Sequence, residues 1–364
     1  MFNPSRLSVA RRRRGLTKKA LSERVGLEWR TISGYEGEEF EPSEAVIEKL
    51  ATALDFPRDF FFGDTLDEPD PDTTSFRAMK KMTSGQRDMA LSQGALALHL
   101  NRFIEARFEL PDAELPDLSR EPSPEAAAQT LRGLWGLGEL SIRNMVHLLE
   151  AKGVRVFSLA VDAVEVDAFS NWKGQTPFVF LNNLKSTEHG RFDAAHELGH
   201  LVLHRHAAPN GLEAEREANA FASAFLMPRG SVLSHAPRFA TVSILVQLKK
   251  VWTVSVAALN YRLHELEVTT DWQYRTLCVQ IAKLGYRTHE PEEAARETSQ
   301  ILAKVFSALH EEGLPRNRVA RELQILASEL DQLLMGLVLT SIAGGRGPEV
   351  PHDRRKRAAL RLVE

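Results

Sequence analysis

The first sixty residues place their apolar side chains at the spacing of short helices. Glycines interrupt this pattern, and Thr17 stands where a helix N-cap belongs. Gly26 supplies the tight turn that a helix-turn-helix needs, so residues 28–35 are predicted to form the recognition helix. A further amphipathic helix is predicted from Pro42 to Leu54. The apolar positions before Glu36 are Leu7, Val9, Ala10, Leu16, Ala20, Leu21, Val25, Leu27 and Ile32.

The middle of the chain changes to a β-rich pattern. Apolar runs at 154–159, 164–172 and 177–181 are separated by turn residues, and Lys173-Gly174-Gln175 is the best hairpin signal. Helical patterns follow over 191–204 and 213–226. Pro177 favours an edge position for its strand. We therefore expect residues 178–181 to bind an extended substrate by strand addition.

The remaining patterns are helical, apart from two breaks. Residues 64–74 are rich in Asp, Glu and Pro and lack periodic apolar positions, which is typical of an extended linker. A second proline-rich break covers 110–124. Helices are predicted within 76–108, 125–135, 141–152, 242–266, 291–309 and 316–339, followed by a basic tail at 346–364.

Composition narrows the class of protein. The 364 residues suffice for two or three domains, and an apolar fraction of 43% with 26% charged residues is ordinary for a soluble globular chain. No apolar run approaches the roughly 20 residues of a membrane span, and the first residues lack the apolar core of a signal peptide. A cytoplasmic protein without a membrane partner is expected. The single Cys278 leaves histidine and carboxylate as metal ligands.

The charge is unevenly distributed. The net charge is −3, yet the first thirty residues are strongly basic, which suits double-stranded DNA as a partner. Lys18 and the run Arg11 to Arg14 are expected to contact phosphate, and the start of the recognition helix to reach base edges. The alternative is a merely solvated basic helix face. The candidate base-contacting residues are Trp29, Arg30, Thr31 and Ser33.

Residues 6–62 resemble the Xre/Cro family of helix-turn-helix repressors. The resemblance rests on many positions together and implies a DNA-binding domain. It is carried by Arg6, Leu7, Ala10, Arg11, Arg14, Gly15, Leu16, Thr17, Leu21, Gly26, Ile32, Ser33, Tyr35, Glu36, Pro42, Leu50, Ala51, Leu54 and residues 57–61.

The strongest chemical signal is His196-Glu197-Leu198-Gly199-His200. Histidines four residues apart on a helix leave the same face and can bind one tetrahedral cation. Glu197 can then accept a proton from an attacking water and return it to the leaving amine. Gly199 keeps the helix slim where a substrate or another helix comes close. A random chain of this composition would contain the pattern about once in twenty chains, so a third ligand is required.

Glu215 is the candidate third ligand. It lies on the apolar face of the next predicted helix, whereas Glu213 and Glu217 point to the other side, and a carboxylate on a buried face needs a partner or a metal. Asn219, one turn later, can hydrogen-bond a ligand. The alternative is that the three glutamates are surface acids. His189, His204 and His206 are expected in surface or packing roles, and Tyr261 and Arg262 are candidates for oxyanion stabilisation.

Three segments resemble the ImmA/IrrE family of metallopeptidases, and residues 177–182 look like the strand before its active-site helix. The resemblance implies a gluzincin-like zinc site of His196, His200 and Glu215, with Glu197 catalytic. It also implies cleavage of an Xre-type repressor or antitoxin-like partner, which derepresses stress-response or mobile-element genes. The segments are 191–204 (RFDAAHELGHLVLH), 215–222 (EREANAFA) and 226–228 (LMP).

Together these observations predict an α+β, mostly helical chain. We expect a zinc endopeptidase, with Mn²⁺ as the alternative metal, that binds DNA and a protein substrate encoded nearby; a second copy of the chain is a further candidate partner. The alternative is an Xre-type transcriptional regulator whose peptidase-like domain senses a ligand or partner without proteolysis. The expected divisions are a helix-turn-helix domain at 1–63, a linker at 64–75, a zincin-like peptidase domain at 76–268 with its core at 151–268, and a helical C-terminal region at 269–364.

Overall fold

The computed structural model describes residues 1–71, 74–76, 82–159, 166–205 and 211–338. His206 and the basic tail at 346–364 lie outside them. The fold is α+β and mostly helical, as predicted. The helices are α1 (Pro4–Arg13), α2 (Lys18–Val25), α3 (Trp29–Glu36), α4 (Glu44–Leu54), α5 (Ser84–Glu105), α6 (Pro124–Leu134), α7 (Met145–Ala151), α8 (Thr187–Leu203), α9 (Leu212–Leu226), α10 (Arg229–Ser234), α11 (Val242–Leu248), α12 (Val256–Glu265), α13 (Asp271–Lys283), α14 (Gln300–Glu311), α15 (Arg316–Glu322) and α16 (Ala327–Leu334).

The N-terminal unit contains the expected helix-turn-helix. The Thr17 hydroxyl caps α2 by accepting a hydrogen bond from the backbone of Ala20 at 3.0 Å. Gly26 ends α2 in the left-handed conformation, with φ of 70°, which turns the chain into α3. Both signals were predicted from the sequence. Leu7, Leu21 and Ile32 are fully buried where the three helices meet.

The sheet contains four short strands among the described residues, in the order β1-β3-β4-β2. They are β1 (Ser75–Phe76), β2 (Arg155–Ser158), β3 (Ala168–Lys173) and β4 (Thr176–Leu181). The predicted hairpin joins β3 to β4, with Gly174 at a φ of 60°. Strand β2 runs parallel to β4, and β1 runs antiparallel to β3.

The expected edge position of residues 178–181 is wrong, because β4 lies between β3 and β2. Pro177 is tolerated there because it pairs only with Trp172. Pairing with β2 begins one residue later, at Phe178, so the missing N–H of Pro177 interrupts no bond to β2. Strand addition to β4 is therefore excluded while β2 is in place.

Helix α8 packs across β3 and β4, and α9 packs on α8. Helix α8 begins at Thr187, one turn before the predicted start, because Ser186 provides the N-cap. A β carbon at Gly199 would lie 3.1 Å from the Phe221 ring and 3.3 Å from the Ala218 Cα of α9. The absence of a side chain at Gly199 therefore allows the close approach of the two helices, as expected.

The arginine run of α1 does not face solvent as a group, which corrects the expected phosphate contacts. Arg11 forms an ion pair with Glu36 at 2.6 Å, and Arg12 forms one with Glu68 at 2.8 Å. Arg13 and Arg14 share Glu329 of α16, with Arg13 only 1% exposed. The four successive arginines point toward α3, the stretch around Glu68 and α16, so each guanidinium is paired with a carboxylate of the same chain.

The C-terminal helices differ in detail from the prediction. Residues 291–292 form a turn and residues 293–299 have no regular secondary structure, so α14 begins only at Gln300, behind a Ser299 N-cap. The helical stretch predicted over 316–339 contains two helices in its described part, α15 and α16, with a break at Gln324, whose φ is 57°. Helix α13 lies in the region 269–364 that was expected to be helical, although its bounds were not predicted; Thr270 and Gln273 form a capping box at its start.

The described helices include none that is long and apolar enough to cross a membrane alone. The segments Val242–Val251 and Val256–Glu265 reach that length and composition only as a pair bent by 93°.

Candidate metal centre

Three side chains from α8 and α9 converge on one point. The Nε2 atoms of His196 and His200 lie 3.1 Å apart. The Glu215 carboxylate lies 3.6 Å from His196 Nε2 and 3.3 Å from His200 Nε2. Both histidines are buried, whereas Glu215 is partly exposed, so the group opens toward solvent on the side of α9.

The three separations fit a tetrahedral cation. Metal–ligand distances of about 2.0–2.1 Å place two ligand atoms of a tetrahedron roughly 3.3 Å apart, close to the mean of the three observed values. Two imidazoles and a carboxylate are also the donor set of known catalytic zinc sites. The residues therefore fit a divalent metal.

Polar partners orient both histidines. His196 Nδ1 lies 3.2 Å from the Asn219 side-chain oxygen, so this nitrogen donates and the lone pair lies on Nε2, the nitrogen that would bind a cation. His200 Nδ1 lies 3.1 Å from His204 Nδ1, and His204 Nε2 lies 2.8 Å from Glu217. Burial lowers the pKa of His204 and favours its neutral form. Because the Nε2–H of His204 donates to Glu217, its Nδ1 accepts a hydrogen bond from the Nδ1–H of His200. His200 therefore has the same tautomer as His196.

The Glu197 carboxylate is 0% exposed and lies between α8 and the sheet. Its Oε2 accepts hydrogen bonds from the hydroxyls of Ser170 and Ser75, each at 2.7 Å. Its Oε1 has no hydrogen-bond partner among the described residues. Burial raises the pKa of Glu197, and the two hydroxyls and His200 only partly oppose this effect.

A cavity of about 470 Å³ borders this centre. Phe192 lies one turn before His196 on α8, and Asn219, which contacts His196, also lines the cavity. Tyr261 lines it from α12 and is 51% exposed. The second oxyanion candidate is wrong: Arg262 is fully buried, and its guanidinium is bound to Glu125, Glu265 and the Met227 carbonyl.

The expected DNA-contacting side chains lie together at α2 and the first turns of α3. Trp29 is 52% exposed, and the exposed Arg30 guanidinium lies 5.9 Å from the centre of its ring. Thr31 and Ser33 are half-buried on the same helix. Lys18 reaches Ser33 at 3.3 Å and Glu36 at 3.5 Å, so it forms part of the same surface.

Sequence reasoning missed four residues around the centre. Ser170 and Ser75 reach Glu197 only because β3 and β1 are brought beside α8, which no local pattern reveals. His204 was expected in a surface or packing role, and Glu217 on the side of its helix away from the apolar face. Their signal was present, because His204 continues the four-residue spacing of His196 and His200 along α8.

Comparison with known families agrees with both resemblances. A model described as the IrrE N-terminal-like domain, of the M78 peptidases, matches residues 149–264. A helix-turn-helix model matches residues 7–61. No curated protein matches the chain. The chain thus joins a DNA-binding helix-turn-helix domain to a domain of metallopeptidase type, and the metal-ligand candidates lie inside the second match.

Proposed function

We propose that this chain is a DNA-binding zinc endopeptidase that cleaves one regulatory protein. The proposed substrate is an Xre-type repressor or antitoxin-like partner, whose loss derepresses stress-response or mobile-element genes. The observation that carries the proposal is the convergence of His196, His200 and Glu215 within tetrahedral distances, with Glu197 next to His196 in the sequence of α8. Two imidazoles and one carboxylate suit zinc, and manganese is the alternative metal.

In the proposed reaction, His196, His200 and Glu215 hold the metal and Glu197 transfers the proton. A divalent cation at this position supplies Lewis-acid polarisation of the scissile carbonyl. Glu197 accepts a proton as water oxygen bonds to the carbonyl carbon, and it donates that proton to the amine nitrogen as the C–N bond breaks. The products are a carboxylate and an amine. Burial of Glu197 favours its protonated form between the two transfers.

The cavity beside the centre indicates which kind of side chain the proposed substrate carries near the cleaved bond. Its wall combines Phe192, Ala220, Ala258 and Tyr261, so an apolar side chain near the cleaved bond would be buried there. We propose Tyr261 for oxyanion stabilisation because its side chain is exposed in the same cavity.

The proposed role of the N-terminal domain is to bring the peptidase to DNA-bound partners. Trp29, Arg30, Thr31 and Ser33 would meet the base edges, and Lys18 a phosphate. Because Arg11 to Arg14 are occupied by internal ion pairs, few phosphate contacts remain and the salt dependence of duplex affinity should be shallow. We propose domain divisions at 1–63, 64–75, 76–268 and 269–364.

The test compares the wild type with Glu197→Gln. Each protein is incubated with the Xre-type repressor encoded nearest to its gene, with zinc or manganese, and products are identified by mass spectrometry. We expect one cleavage by the wild type and none by the variant, while zinc binding is retained in both. Cleavage by the variant would refute the role of Glu197. DNA binding without cleavage by either protein would favour the alternative of a regulator that does not proteolyse.

A further inference from the structure

Strand β1 follows the helix-turn-helix domain in the chain, yet it lies at the edge of the sheet beside the metal centre. Ser75 pairs with Ser170 and Phe76 with Phe169, antiparallel to β3. Strand β4 occupies the other side of β3. The two residues of β1 therefore take the backbone positions at which β3 would otherwise pair with another extended chain.

The same segment covers the proposed proton-transfer group. The Ser75 hydroxyl donates to Glu197 Oε2 at 2.7 Å and lies 2.9 Å from the Ser170 hydroxyl. Thr74 and Ser75 are 0% and 1% exposed, and Glu197 is 0% exposed. A substrate and a water molecule cannot reach this carboxylate while Ser75 remains on it.

We infer that the edge of β3 opposite β4 is the peptide-binding site of the chain and that residues 74–76 are its internal occupant. The ligand class is an extended peptide that presents a small side chain to Glu197. The inference rests on the proposed function, because it assigns the substrate site of that same peptidase. In the described state, the occupant blocks substrate and holds the peptidase inactive.

The stretch that precedes the occupant is held near its start, at Asp67 and Glu68, and near its end, at Asp70. Asp67 forms an ion pair at 2.7 Å with Lys173, at the end of β3. Glu68 is bound by Arg12 of α1, and the Thr74 hydroxyl donates to the Asp70 carbonyl at 2.6 Å. Such tethering gives an effective concentration on the order of 1 mM, so a free peptide at about 1 µM competes at a disadvantage of roughly 1000-fold.

Displacement is nevertheless feasible, because the occupant is short. Among the described residues, β1 has two, whereas strands of globular proteins have about five or six. These two residues pair with two of the six residues of β3. A longer substrate strand can form more backbone hydrogen bonds along β3 and replace it.

The test measures peptide binding to metal-free protein. The probe is a fluorescein-labelled peptide with the sequence of residues 70–82, and affinity is read by fluorescence polarisation. Ser75→Asp places a carboxylate against Glu197 and should expel the occupant. Thr65→Asp is the matched control, since it adds the same charge to the same stretch at an exposed position. We expect the Ser75 variant to bind the peptide at least tenfold more tightly than the wild type and the control.

A second variant covers the case in which Ser75→Asp does not fold. Asp67→Lys opposes Lys173 with a like charge and loosens the stretch from outside the site, and at least a threefold gain in peptide affinity is expected. Equal affinity of the wild type and the folded variants would overturn the inference. Because this assay needs neither metal nor cleavage, such a result leaves the proposed peptidase untouched. Peptide binding without repressor cleavage would instead count against the peptidase.

Discussion

The chain of hydrogen bonds from Glu217 through His204 to His200 makes a testable claim about metal affinity. Glu217→Gln retains an oxygen that can accept from His204 Nε2 but removes its negative charge. The tautomer that leaves His200 Nε2 free to bind a cation is then stabilised less strongly. The substitution is conservative in shape, so any loss reports the electrostatic part of the link.

The magnitude follows from the position of Glu217 behind a ligand. Loss of such a partner typically weakens metal binding about 10- to 100-fold, which corresponds to about 1.4–2.8 kcal/mol. Since Gln keeps one hydrogen bond, we expect about tenfold for Glu217→Gln. His204→Phe removes both hydrogen bonds and should approach 100-fold.

The assay is zinc competition against a chromophoric chelator at pH 7.5. Glu213→Gln is the matched control, because Glu213 lies one turn earlier on α9, is 78% exposed and, among the described residues, forms an ion pair only with Arg216, at 3.6 Å. Its affinity should stay within about twofold of the wild type. Equal zinc affinities for Glu217→Gln and Glu213→Gln would refute the orienting role of Glu217.

Two further predictions concern stability. Glu329→Ala leaves the buried Arg13 without its carboxylate and should lower the free energy of unfolding by about 3 kcal/mol in urea titrations. Asp331→Ala is the control, because that side chain lies on the same helix and is 54% exposed. An equal loss of stability in both variants would contradict this account. Hydrogen bonds from Arg262 lower the pKa of Glu125 from the ordinary 4.5, so its contribution is present above that pH and is lost as the pH falls through the lower folded-state pKa. Glu125→Gln should therefore cost about 1.5 kcal/mol at pH 7, with a smaller difference in urea titrations at pH 4, whereas a constant difference would exclude ionisation as the cause.

The features that the sequence revealed are those that depend on local spacing. Gly26 and Thr17 determine a turn and a cap within a few residues, so they predicted the helix-turn-helix. The four-residue interval between His196 and His200 fixes a shared helix face. Glu215 was found by the same rule, because the apolar pattern of α9 distinguishes its inward face.

The features that the sequence concealed depend on partners distant in the chain. The arginine run is basic in any local window, but the carboxylates that neutralise Arg12 and Arg13 are Glu68 and Glu329. Pro177 was expected to place its strand at a sheet edge, but β4 is internal, because its pairing with β2 begins one residue after the proline. Ser75 belongs to a stretch without periodicity, so only the folded chain brings it to Glu197.

The shared carboxylate of Glu329 limits how this protein can be rearranged during evolution. Arg13 and Glu329 are 316 positions apart in sequence and are in contact in the fold. A recombination event that joined a new helix-turn-helix domain at residues 64–75 would separate two arginines from the acid that neutralises them. Exchange of DNA specificity in this architecture is therefore easier by point substitution on α3 than by replacement of the whole domain.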